Sequence, residues 1–257
     1  MDKKYTIEDL LEIIKVLRGE NGCPWDKVQT HQSIKKSLIE ESYETIEALD
    51  SGDDKAFANE LGDVLLQVAF HSVLAKEREA FEFDDVLNEV CTKLISRHTH
   101  VFGADKAGNT EEALDTWEKN KKKEKELKTN ADILNDVPHS LPALMRAQKV
   151  QKKASSCGFD WENISGVFDK INEEMEELGD AYREGVPEKI EEEFGDLLFS
   201  VVNLSRFLGV DSEEAMTSAT NKFIKRFTKM ESLATESGEV FSELSPPKMD
   251  VLWEKVK

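Results

Sequence analysis

The chain has 257 residues, which is the length of two ordinary domains rather than one. Its 53 acidic residues outnumber the 34 basic residues and give a formal net charge of −19, which opposes binding to a nucleic-acid polymer or an anionic lipid surface. The N-terminus does not resemble a signal peptide, and no apolar run reaches transmembrane length. We therefore expect a cytoplasmic protein that binds neither a nucleic-acid polymer nor a membrane.

Apolar residues recur at helical spacing along almost the whole chain. Leu10, Leu11, Ile14 and Leu17 share one face near the N-terminus, and residues 64–69 give a similar face to a later helix. The alternation of apolar and polar residues that is typical of strands is hard to find. The sequence therefore predicts an all-α fold.

An acidic pattern occurs twice, with the second copy displaced by 133 residues, as for Glu174 against Glu41. In each copy the two acidic stretches flank a turn-forming segment, at 51–54 and 184–187, so each copy predicts a helical hairpin. The chain is thus an internal duplication with two candidate sites. Prolines near residue 140 mark a boundary, and we expect these divisions: an N-terminal domain over 1–128, a linker over 129–140 and a C-terminal domain over 141–257.

Carboxylates three residues apart lie on one face of a helix, so each predicted hairpin brings two acidic pairs opposite each other. Such carboxylates repel unless a cation lies between them, and oxygen ligands without His or Cys suit Mg²⁺ or Mn²⁺. The predicted metal ligands are Glu41, Glu44, Glu60 and Asp63 in the first copy and Glu174, Glu177, Glu193 and Asp196 in the second. The simpler interpretation of any one acidic pair is a solvated helix face.

Three further features bear on this interpretation. The acidic residues of the second stretch lead directly into apolar runs, which places them next to a core. Gly62 and Gly195 lie inside these helices at a cost in helix stability, so we expect another element to approach closely there. A di-iron carboxylate site is disfavoured because its Glu-x-x-His motif does not occur in the sequence.

Further motifs accompany the acidic patterns. They are Gly22-Cys23-Pro24-Trp25-Asp26, Arg97-His98-x-His100-Val101-Phe102, Leu141-Pro142-Ala143-Leu144 and Asn221-Lys222-Phe223. As an ordered set over nearly the whole chain, they resemble the MazG family of nucleoside triphosphate pyrophosphohydrolases in its tandem two-domain form. The resemblance implies two tandem all-α domains whose helical bundles are completed by dimerisation. It also implies Mg²⁺-dependent cleavage between the α and β phosphates of a nucleoside triphosphate, giving a nucleoside monophosphate and pyrophosphate.

By this resemblance the second copy holds the metal, and Glu173 or Glu192 orients or deprotonates the attacking water, with no basis for choosing between them. Lys222 and Arg226 share a helix face that suits a triphosphate, although a solvated basic face has the same spacing. Trp253 is either a base contact or a core aromatic. The expected substrate-binding residues are Lys170, Glu173, Glu174, Lys222, Arg226, Trp253 and Lys257.

The two copies are not equivalent. Ser37 stands at the position of Lys170, and Asn59 at the position of Glu192, so the first copy lacks one cation and one candidate base. We therefore expect most catalysis in the C-terminal half. The alternatives are a non-catalytic helical module that binds nucleotides or a regulatory protein, and a phosphoribosyl-ATP or dUTP pyrophosphatase on a related fold.

Overall fold

The computed structural model describes residues 4–257, and helices account for nearly all of its regular structure, with no strand in that range. The prediction of an all-α chain is therefore confirmed. The chain divides into two compact units, the first ending at Lys121 and the second beginning at Lys122. No helix within residues 4–257 is long and apolar enough to cross a membrane.

The first unit is built mainly from α1 to α6, and α7 crosses the division in the chain. The helices are α1 (Ile7–Arg18), α2 (Pro24–Val28), α3 (Lys35–Ser51), α4 (Asp54–Glu77), α5 (Phe83–Arg97), α6 (Thr99–Phe102) and α7 (Thr110–Glu124). Helix α4 packs against both α3 and α1. The core of this unit lies where these helices meet, and its buried residues are Ile14, Ile34, Ala69, Phe70, Val73 and Leu74.

The second unit repeats this arrangement with α10 and α11 in place of α3 and α4. Its helices are α8 (Asn130–Asn135), α9 (Ala143–Ser156), α10 (Ile164–Glu184), α11 (Pro187–Leu208), α12 (Ser212–Glu236) and α13 (Pro246–Val256), with a 3₁₀ turn at Phe241–Glu243. Helix α11 packs against α10 and α9, and α12 packs against α9 and α13. The expected linker over 129–140 contains α8, whose Ile133 is buried. The domain limits remain a prediction.

Both predicted hairpin turns are present, and each uses a glycine in the left-handed region. Gly52 has φ +73° after α3, and Gly185 has φ +71° after α10, a conformation that costs residues with a Cβ free energy. Asp53 then caps α4 by accepting from two backbone amides, whereas Pro187 begins α11 without a side-chain cap. The turns hold the two acidic helices of each hairpin side by side.

The expectation for Gly62 and Gly195 is wrong within residues 4–257. A Cβ placed on either glycine meets no atom of another element within 4 Å, so neither position is a close approach between elements of the same chain. Both residues are exposed. Nothing in the described chain therefore accounts for the helix stability that these glycines cost.

An ion pair anchors the loop between α9 and α10 to helix α11. Arg206 binds both carboxylate oxygens of Asp160, with Nη1 2.9 Å from Oδ2. Ser155 and the backbone amide of Trp161 also donate to Asp160. These hydrogen bonds, first of all those from Arg206, lower the pKa of Asp160 to about 2.

This ion pair makes a pH-dependent contribution to stability. Because the pKa of Asp160 is lowered on folding, the contribution is complete above the unfolded pKa of about 3.9 and is lost as the pH falls through about 2. Asp160→Asn should lower the free energy of unfolding by about 1 kcal/mol at pH 7, and the deficit should narrow towards pH 3. Urea unfolding of the full chain measures both values. The control is Asp169→Asn, at an exposed position on α10. If the loss of unfolding free energy in Asp160→Asn did not change with pH, the role assigned to the ion pair would be contradicted.

Candidate active site

Three glutamates converge on the hairpin of α10 and α11. One carboxylate oxygen from each of Glu174, Glu177 and Glu193 lies within 4.8 Å of the other two. We call these residues the C-terminal triad. Asp196 lies outside this group, but its charge still acts on it: desolvation is the main cause that raises the pKa of Glu193, followed by the charges of Glu177, Glu174, Glu192 and Asp196.

Glu174 is the buried member of the triad, with 4% of its surface exposed. Its Oε1 lies 2.6 Å from Nζ of Lys170, whereas its buried Oε2 has no hydrogen-bond partner among residues 4–257. Nζ of Lys170 also lies 2.7 Å from Oε1 of Glu173, and these two carboxylates raise the pKa of Lys170. A buried carboxylate oxygen without a partner is costly, so this atom calls for a cation or a donor that the chain does not supply.

The first unit forms a corresponding group on the hairpin of α3 and α4. Oxygens of Glu41, Glu44 and Glu60 meet the same 4.8 Å limit, and we call these residues the N-terminal triad. Asp63 lies outside this group. Desolvation and then the charge of Asp63 are the two largest causes that raise the pKa of Glu41. Both hairpins therefore gather three of the four predicted ligands, and the roles of all eight acids remain predictions.

The two triads differ in what surrounds them. Glu41 is only partly buried, and a serine stands where Lys170 pairs with Glu174 in the second unit. Asn59 donates to two predicted ligands of its own hairpin, at 3.3 Å to Glu60 and 3.4 Å to Asp63. Its amide thus occupies acceptors that a cation would use. Glu192, its counterpart, is an exposed carboxylate.

Four of the predicted substrate contacts form a separate group on α12 and at the end of α13, and these are Lys222, Arg226, Trp253 and Lys257. Arg226 donates to the backbone oxygen of Lys257 at 3.3 Å, and the ring of Trp253 lies 5.4 Å from that of Phe223. Lys222 lies one turn before Arg226 and is exposed. Within residues 4–257, α12 and α13 pack closely against each other and α12 against α9, but neither packs extensively against α10 or α11. The structure therefore does not bring this group together with the carboxylates of its own chain.

A pocket of about 490 Å³ lies in the second unit, and sequence reasoning did not identify it. Its walls come from α8, α9, the loop that follows α9, α10 and α11. The lining residues include Gln151, Phe159, Trp161, Lys170, Asn203 and Arg206. Because Lys170 also binds Glu174, the pocket adjoins the C-terminal triad. We refer to it as the side pocket.

The donor set of the C-terminal triad fits a hard divalent cation. The candidate ligands that converge there are carboxylate oxygens, and one carboxylate oxygen of Glu174 is buried without a partner among residues 4–257. Oxygen ligands of this kind suit Mg²⁺ or Mn²⁺ better than softer metals. A cation at such a site retains positions for phosphate oxygens and water, so the arrangement suits hydrolysis of a phosphoanhydride.

Comparisons with known proteins identify the family to which the chain is similar. The model of the MazG nucleotide pyrophosphohydrolase domain matches residues 29–102 and 164–231, which include both acidic hairpins. The chain is 49% identical to the nucleoside triphosphate pyrophosphohydrolase/pyrophosphatase MazG of Thermotoga maritima over 250 residues, or 97% of this chain and 95% of that protein. It is 42% identical to the nucleoside triphosphate pyrophosphohydrolase of Escherichia coli K12 over 254 residues, or 98% and 97%.

A third relative has a longer chain. The protein YabN of Bacillus subtilis is 44% identical over 246 residues, which are 95% of this chain and 50% of YabN. The first two relatives, by contrast, align along almost their whole length. The family match covers more than half of the residues, and both of its segments carry a glutamate triad. The chain therefore belongs to the MazG family of nucleotide pyrophosphohydrolases.

Proposed function

We propose that this chain hydrolyses nucleoside triphosphates between the α and β phosphates, releasing a nucleoside monophosphate and pyrophosphate. The observation that carries the proposal is the buried Glu174 carboxylate, whose Oε2 lacks a partner within a group of three converging glutamates. Glu174, Glu177 and Glu193, with Asp196 beside them, would hold Mg²⁺ or Mn²⁺. When bound, the cation supplies charge neutralisation for phosphate oxygens and a more acidic water.

The remaining residues of the second unit would position the reactants. Lys170 holds one oxygen of Glu174 and one of Glu173, which fixes the direction of both carboxylates. Glu173 and Glu192 are exposed and close enough in the chain to the ligands to accept a proton from the attacking water, and both remain candidates. In phosphoryl chemistry such positioning and charge stabilisation supply most of the acceleration.

The surroundings of the two triads support unequal roles for the two units. The C-terminal triad has the buried carboxylate, the lysine and the adjoining side pocket. The N-terminal triad has a more exposed glutamate and an asparagine that binds its acids. The C-terminal unit would therefore carry most of the catalysis.

Matched neutral substitutions test this inequality. Glu174→Gln should lower the rate of pyrophosphate release from ATP and Mg²⁺ by at least about a hundredfold, since it removes a charge that the cation requires. Glu41→Gln should change the rate by less than about threefold, because the residual catalysis of the N-terminal unit is small. The measurement is coupled pyrophosphate release, with the monophosphate identified by chromatography.

Glu176→Gln is the control within α10, since Glu176 is exposed and outside the triad. Equal losses for Glu174→Gln and Glu41→Gln would contradict the unequal roles. Release of a nucleoside diphosphate and inorganic phosphate would contradict cleavage between the α and β phosphates. No hydrolysis by the unaltered chain, with or without Mg²⁺ or Mn²⁺, would favour a non-catalytic nucleotide-binding module.

We also propose a homodimer in which two chains complete each site. Helix α12 exposes a series of large apolar residues, which are Met216, Phe223, Ile224 and Phe227. Apolar surface of this extent is unusual on a monomer and is typical of a buried interface. Because α12 carries Lys222 and Arg226 without packing extensively against α10 or α11, these cations would serve the triad of a second copy.

Complementation between two inactive variants tests the shared site. A heterodimer of a Glu174→Gln chain and a Lys222→Ala chain, isolated through two different tags, should recover about half of the activity of the unaltered dimer, because one of its two sites has every residue. Each variant alone serves as the control. An inactive heterodimer would contradict an active site shared between two chains. A monomer in size-exclusion chromatography with light scattering would contradict the dimer itself.

A further inference from the structure

We propose that the side pocket binds the nucleobase of the substrate and that Gln151 and Asn203 determine which base edge it accepts. The inference rests on the proposed function, because the substrate is taken to be a nucleoside triphosphate. It adds a specificity site on α9 and α11, beside the residues that would hold the metal and the phosphates. Three features of the pocket support it: its size and walls, its fixed hydrogen-bonding groups and its connection to the triad.

The walls of the side pocket suit a flat aromatic ligand. The cavity of about 490 Å³ is large enough for a nucleoside, and its surface is mainly apolar. Phe159 and Trp161 line it, although 84% and 44% of their surfaces are exposed. The indole of Trp161 lies directly over Gly166, where a Cβ would come within 2.7 Å of the ring. The lack of a side chain at Gly166 therefore leaves room for the indole. Exposed aromatic faces of this kind bind bases by stacking.

Gln151 supplies a buried hydrogen-bond acceptor without a partner. Its Nε2 donates to the backbone oxygen of Phe199 at 2.7 Å, and because that oxygen can only accept, the orientation of the amide is fixed. Its Oε1 is buried and has no partner among residues 4–257, and only 7% of the residue is exposed. A ligand N–H in the side pocket would remove the cost of this unmade bond.

Asn203 supplies the complementary donor. Its Oδ1 accepts from Nε and Nη2 of Arg206 at 3.2 and 3.0 Å, and the guanidinium has no acceptor, so the oxygen must face it. This leaves Nδ2 of Asn203 for the pocket that the residue lines. One acceptor and one donor match the edge of a nucleobase, which pairs an N–H with a ring nitrogen or carbonyl.

Lys170 joins this pocket to the phosphate end of the site. It lines the side pocket, and its ammonium lies 2.6 Å from the triad residue Glu174. A nucleotide whose base occupies the pocket can therefore direct its phosphates towards the carboxylates. A phosphate chain that leaves the pocket in this direction reaches the C-terminal triad, where the proposed metal would bind the phosphates.

The first unit has apolar residues at the positions of both pocket amides. At the displacement of 133 residues, Phe70 stands at the position of Asn203, and at the displacement of 134 residues that pairs Cys157 with Cys23, Leu17 stands at that of Gln151. Phe70 is a core residue with 6% of its surface exposed. Neither Phe70 nor Leu17 has a side chain that can form the hydrogen bonds of the two amides in the second unit. The duplication therefore provides substitutions that a related unit already accommodates.

The test compares substrates and ligands with and without a base. Asn203→Phe should raise KM for ATP by at least about tenfold, the equivalent of roughly 1.4 kcal/mol, with kcat changed by less than about threefold. The inhibition constant of inorganic tripolyphosphate against ATP hydrolysis should differ by less than about twofold between this variant and the unaltered chain, because that anion has no base to place in the pocket. Asn203→Asp, which keeps the size and the oxygen facing Arg206 but loses the donor, should change the order of KM values among ATP, GTP, CTP and UTP.

Calorimetric binding of AMP without metal separates this inference from the proposed hydrolysis. Binding to the unaltered chain and its loss in Asn203→Phe would support the side pocket even if no triphosphate were cleaved. Circular dichroism and thermal unfolding establish that each variant is folded. The inference is overturned if both folded variants keep the KM values and AMP affinity of the unaltered chain, or if Trp253→Ala alone changes the order of base preference.

Discussion

Repulsion among neighbouring carboxylates is the physical constraint on which both hairpins depend. Helical spacing and a tight glycine turn place three glutamates within one small volume, and desolvation adds to the cost of their charges. In the second unit Lys170 offsets part of this cost at Glu174 but leaves one buried oxygen without a partner. A cation that binds only the folded hairpin would stabilise it by mass action. Stability and cation binding are thus coupled in the same residues.

Duplication has kept the backbone and the triads while the surroundings have diverged. Where the second unit has Lys170, Gln151 and Asn203, the first has a serine, a leucine and the core residue Phe70. Filling a pocket with an aromatic side chain adds apolar burial, whereas an open pocket with unpaired amides costs free energy. The first unit has therefore gained core where the second retains features of a binding site.

Sequence periodicity predicted the parts of the structure that depend on local spacing. The helices and the turns at Gly52 and Gly185 follow from helix geometry, whereas of the four acids predicted to converge in each hairpin three form a close group. The expected close approach of another element at Gly195 is not found within residues 4–257, since a glycine in a helix does not by itself indicate what lies opposite. Gln151 and Asn203 were missed because isolated amides have no period. A signal existed, since Asn203 follows Asp196 by seven residues and so extends the acidic face of α11.

The apolar surfaces of the helices connect folding with assembly of the site. The largest fully buried side chains within residues 4–257 are Ile14 and Val167, while long helices such as α5 and α12 expose residues like Leu94 and Phe223. A chain of this size normally buries a larger core, so association with a second copy would bury more apolar surface. The same association would bring the basic side chains of α12 to the carboxylate triad. If the surface that carries Lys222 is ordered by the second copy, a chain alone lacks both part of its stability and part of its site. Hydrolysis would then be confined to the assembled form, because the same contact supplies core and catalytic charge.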